Sequence, residues 1–98
     1  MVFFWLKEPG NSDHRNKFES SLKHFIDHSQ FVRSTHIGTA AGTDRTVVDN
    51  SYTYCLVVSF ASKEDHDKYQ ADPAHHSFIA ECEDLWERVQ VYDSIKLQ

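Results

Sequence analysis

The sequence predicts an α+β domain in which four antiparallel strands carry helices on one face, in the order β-α-β-β-α-β. Three observations point to it. Short aromatic and branched runs alternate with stretches of helical spacing, turn-forming residues separate them, and one run near the middle has an unbroken period of two. Val2 to Lys7 is apolar and ends on Glu8-Pro9-Gly10, which predicts a strand closed by a turn. From Asn11 to His28 the residues Phe18, Leu22, Phe25 and Ile26 form one stripe of an α-helix.

Phe31 to Ala40 predicts a second strand, and Ala41 to Ser51 a polar loop. The third strand is the clearest. Tyr52, Tyr54, Leu56, Val58 and Phe60 alternate with the smaller Thr53, Cys55, Val57 and Ser59, so a bulky face packs under helices and a mixed face needs another covering. Ser62-Lys63-Glu64-Asp65 has the form of a capped helix start, predicting a short helix to about Tyr69. Asp72-Pro73 starts another, with Asp as N-cap and Pro at the first helical position, and Phe78, Ile79, Cys82, Leu85, Trp86 and Val89 as its stripe. A last strand over Gln90 to Leu97 completes a ferredoxin-like protomer, read as one domain over residues 1–98 with no repeat or linker.

A chain of 98 residues builds only a thin core, yet it carries seven Phe, four Tyr and two Trp. Such a surplus suggests a second buried surface, either a ligand cavity or a subunit contact. The net charge of −5 and the absence of clustered Lys and Arg argue against nucleic acid. No run is long enough for a signal segment or membrane span, and Cys55 and Cys82 read as free thiols of a reducing compartment, so the expected location is the cytoplasm.

The residues suited to proton chemistry lie around the Asp72-Pro73 break. At the third helical position His75 is in phase with Ile79, Cys82 and Trp86 and is expected to point inward. There the positive end of the helix dipole favours neutral imidazole, which can accept a proton. Tyr69 precedes it across the break, and its phenol can donate a hydrogen bond. The bland alternative is that such a pair only fixes the kink between two helical segments. His24 and His28 have the spacing of a metal pair but lie opposite the apolar stripe with no third ligand, so no metal or cofactor is expected. His66 is expected at the surface and His76 at a rim, while His36 in strand two is a secondary candidate for a pocket wall or a dimer surface.

The start Val2-Phe3-Phe4-Trp5-Leu6-Lys7, the segment Tyr52 to Phe60, the Tyr69-x5-His75 signature with Pro73, and Val91-Tyr92-Asp93 resemble the stress-responsive dimeric α/β-barrel family, often called Dabb. The resemblance spans nearly the whole chain. It implies a protomer whose sheet packs on that of a second copy to close an eight-stranded barrel. Plant polyketide cyclases of this family use a Tyr and a His for an aldol cyclisation, and Tyr69 and His75 match those positions, while Trp86 matches a pocket aromatic. Tyr54 stands where those cyclases carry a strand-three histidine, and Leu22 where they carry a helix-one tyrosine; their first-strand histidine has no counterpart. The expectation is therefore a homodimer holding a small, mostly apolar molecule between helices and sheet, lined by Tyr54, Leu56, Tyr69, His75 and Trp86. The alternative is a metal-independent cyclase or lyase in which His75 is the base and Tyr69 the hydrogen-bond donor.

Overall fold

The computed structural model describes residues 1–97; Gln98, the last residue of the expected domain, lies outside the described residues. Its elements are β1 (Val2–Leu6), α1 (Ser12–Asp27), β2 (Ser34–Gly38), β3 (Tyr54–Ser59), α2 (Lys63–Ala71), α3 (Pro73–Cys82), a 3-10 turn (Glu83–Leu85) and β4 (Trp86–Val91). The strands form one antiparallel sheet in the order β2-β3-β1-β4, the ferredoxin-like arrangement.

Registers assign the two faces, because residues directly opposite on neighbouring strands share a side. Phe4 pairs with Tyr54 and Val89, and Leu56 with Val2 and Ile37, all on the side that meets the helices. Phe4, Leu6, Tyr54 and Leu56 are buried there against Phe18, Leu22, Phe25 and Ile26 of α1 and Phe78 and Cys82 of α3. The expected stripe of the first helix is therefore its buried face. The opposite face carries Phe3, Trp5, Cys55, Val57, His36 and Arg88, and no helix among the described residues covers it.

Several boundaries differ from expectation. β3 is shorter, and Tyr52, expected on its bulky face, precedes the strand and meets Phe3 edge-on at 4.9 Å. β2 shrinks from both ends to Ser34–Gly38, the length that pairs with β3. The largest correction is β4, expected over Gln90 to Leu97 and found at Trp86–Val91. Leu85, Trp86 and Val89 fit a helical stripe, but α3 ends at Cys82 and pairing to β1 decides the conformation, with Leu6 opposite Trp86 and a bulge between Trp5 and Leu6. Residues 92–97 lie outside regular structure, with Ile95 and Leu97 exposed.

Candidate functional site

The turn between α2 and α3 is built by Asp72. As the residue before a proline it is held extended, at φ −64° and ψ 132°, which stops α2. Its carboxylate accepts from the N–H of Ala74 at 2.9 Å, capping α3, while its own N–H donates to the carbonyl of Tyr69 at 3.2 Å. One residue thus closes one helix and opens the next, and the chain folds back so that Tyr69 and His75 face each other.

Their ring centroids lie 5.4 Å apart at 65°. Phe25 of α1 backs both, at 5.4 Å from Tyr69 and 5.6 Å from His75, and Phe60 closes on Tyr69 at 4.9 Å. Tyr69 is buried and His75 half-buried. Burial pushes the Tyr69 phenol well above its ordinary range, so it stays protonated and able to donate. Burial also lowers the His75 pKa, the neighbouring His76 adds to this, and Asp72 opposes it. The imidazole is thereby held neutral. Its Nδ1 is buried without a hydrogen-bond partner among the described residues.

Helical phasing placed His75 approximately. Phe78 and Cys82 are the buried positions of α3, whereas His75 and Ile79 flank them half-buried and Trp86 has left the helix for β4. Trp86 still reaches the core, 5.3 Å from Phe4 and 6.0 Å from Phe78. Leu56 lies in the same core, and Tyr54 stacks on Phe18 at 4.7 Å. The Tyr54 hydroxyl donates to Glu19 at 2.5 Å; desolvation and that carboxylate together raise its pKa.

Tyr54 and Trp86 are thus joined to the Tyr69–His75 pair by ring contacts through Phe18, Phe78 and Phe25, and Leu56 belongs to the same core cluster. His36 is not. It lies exposed on the far side of the sheet, its ring folded over Gly38, where a Cβ would stand 2.6 Å from the imidazole Nε2. His66, expected at the surface, is half-buried against Phe60 at 5.3 Å, with Asp67 at 3.3 Å and Asp93 at 3.8 Å. The residues missed from sequence as neighbours of the pair are Phe25 and Phe60, whose signals, an α1 stripe and a strand end, gave core positions but no proximity.

Among the clefts formed by the described residues, two bear on the site. The smaller, about 190 Å³, lies between α1 and α3, with Phe25 and Phe78 in its floor and His24, Ser77 and Glu81 around it. The larger, about 360 Å³, lies at the end of the sheet near Trp5 and Arg15. Neither wall includes Tyr54, Leu56, Tyr69, His75, Trp86 or His36.

A protein crystal structure of At3g17210 from Arabidopsis thaliana superposes with a TM-score of 0.77 at 18% identity, covering 99% of this chain and 94% of that one. Rv0793 from Mycobacterium tuberculosis gives 0.64 at 16% identity, covering 98% and 92%. At such identities the likeness concerns the fold. No curated protein sequence matches. The sequence profile of the stress responsive A/B barrel domain matches residues 1–96, and with strand order and helix placement in agreement, the chain belongs to that family.

Proposed function

We propose that the chain is one Dabb domain that works as a cytoplasmic homodimer and binds a small, mostly apolar molecule between helices and sheet, with Tyr69 and His75 as the polar end of the site. The observation that carries this is the buried, unpartnered Nδ1 of His75, set beside a protonated phenol among aromatic rings. An unsatisfied buried polar atom costs about 1–3 kcal/mol, and a ligand group that hydrogen-bonds to it recovers that cost. The seam between α1 and α3 is the natural approach, because Phe25, which lines its cleft, also packs on both rings of the pair. A cleft of about 190 Å³ is below the usual size of drug-sized sites, so a ligand enters by displacing these side chains. The uncovered face of the sheet supports the dimer, and the free thiols Cys55 and Cys82 support a reducing compartment.

Native mass spectrometry of the freshly purified protein tests both parts. A dimer that loses a small organic molecule on activation supports the reading. A ligand-free monomer at micromolar concentration overturns it.

The depressed His75 pKa favours a second reading, a metal-independent cyclase or lyase. Neutral His75 takes a proton from the carbon next to a carbonyl, and Tyr69 hydrogen-bonds the enolate oxygen that develops. Under this reading His75→Ala and Tyr69→Phe each lower turnover of an identified substrate by a factor on the order of 100 or more. Full activity in both variants removes the pair from the chemistry.

A further inference from the structure

The larger cleft is separate from the Tyr69–His75 pair, and its chemistry is different. It lies where β1 leaves the sheet, walled by Trp5, Lys7, Arg15, Ser51, Tyr52 and Glu87 among others. In a chain of net charge −5, two cations line it, and neither Lys7 nor Arg15 has a carboxylate partner among the described residues.

Arg15 is held in place. Its Nη1 donates to the carbonyl of Pro9 at 3.0 Å and its guanidinium lies 5.0 Å from the Tyr54 ring, which leaves further N–H donors for an acceptor. Trp5 is fixed likewise, with its indole N–H donating to Ser51 Oγ at 3.0 Å and the Arg88 guanidinium 4.3 Å from its ring centroid. Glu87 is the carboxylate on the wall, and it sets the cost of a second negative charge. At about 360 Å³ the cleft has the lower range of volumes that take a small molecule.

We propose that this cleft binds a small organic carboxylate, its acid group on Lys7 and Arg15 and its flat apolar body against Trp5 and Tyr52. Two cations against one carboxylate suit a monoanion better than a dianion. The aromatic wall favours a ring over a bare inorganic ion. Trp5 and Tyr52 lie at the rim of the sheet face proposed above as the subunit contact, so binding is measured on the protein in its native assembly.

The test uses benzoate as the probe and the indole N–H signals of the two tryptophans in a proton–nitrogen NMR titration. Benzoate is expected to move the Trp5 signal saturably with a Kd on the order of 1 mM, and to leave Trp86 unmoved. Benzyl alcohol, of similar shape but uncharged, binds about tenfold more weakly, as do Lys7→Gln and Arg15→Gln toward benzoate. Glu87→Gln moves the other way and tightens binding, an outcome that disrupted folding does not produce. No saturable shift of Trp5 overturns the proposal, as does binding indifferent to all three substitutions. Inorganic phosphate binding as well as benzoate overturns the ligand class. A shift centred on His75 and Phe25 instead assigns benzoate to the other site and removes this one, leaving the reading of the Tyr69–His75 pair intact.

Discussion

At the scale of single residues, the surroundings of His75 leave a testable mark on its titration. Because burial disfavours the imidazolium, His75 has a lower pKa folded than unfolded, where the ordinary 6.5 applies. The unfolded state then binds more protons on acidification, so stability contributed by neutral His75 is complete above pH 6.5 and is lost as the pH falls below it. Urea unfolding from about pH 7.5 down to about pH 5 is expected to show a larger loss of stability in the native protein than in His75→Gln; equal losses in the two would contradict the burial argument. Position in α3 gives His75 its inward sense, but local spacing does not show that Phe25 of α1 packs on its ring or that Phe60 beyond β3 closes on the neighbouring Tyr69. The first contact joins residues fifty positions apart and the second joins a strand end to the following helix, and periodicity carries no information on contacts between elements. His36 shows the converse: alternation placed it in a strand, and only the pairing of that strand put it on the side away from the helices.

At the scale of elements, caps were the legible feature. Ser62 accepts from the N–H of Asp65 and Asp72 from that of Ala74, at the two helix starts marked in the sequence by their capping side chains, and Asn11 caps the first helix in the same way by accepting from the N–H groups of Asp13 and His14. Asp72 has the heaviest duty because it both caps α3 and closes α2. Asp72→Ala is expected to cost about 1 kcal/mol in chemical denaturation. It should also loosen the Tyr69–His75 arrangement, seen as faster hydrogen exchange at the amides of Ala74 and His75, whereas Ser62→Ala should leave those two amides unchanged. β4 was the least legible element. Trp86 to Val91 fits both a helical stripe and a strand, and the ladder to β1 settles the choice through contacts with residues eighty or more positions away.

At the scale of the molecule, the sheet has one face under helices and one without. The open face gathers Phe3, Trp5, Cys55 and Val57, with Tyr52 and Tyr92 set edge-on to Phe3. Packing a second sheet on it, about 10 Å away, is the simplest way to bury Phe3, Cys55 and Val57, with Trp5 and Tyr52 left at the rim beside the larger cleft. Val57→Asp puts a charge at the middle of that face without touching the helix side, and light scattering is expected to report a monomer with an unchanged far-ultraviolet circular dichroism spectrum. A variant that remains dimeric would assign the contact to another surface.

What the sequence determined by itself is the α+β class, the order of elements and the buried faces of α1 and β3, because period and caps are local properties written in neighbouring residues. Tertiary structure alone decided where β4 begins, which side of the sheet His36 takes, and that Phe25 and Phe60 enclose the Tyr69–His75 pair. It also formed the cleft of Lys7 and Arg15, whose walls come from both ends of the chain and its middle loop. Each of these rests on pairing or packing between distant segments, and such contacts come into being only when the chain folds.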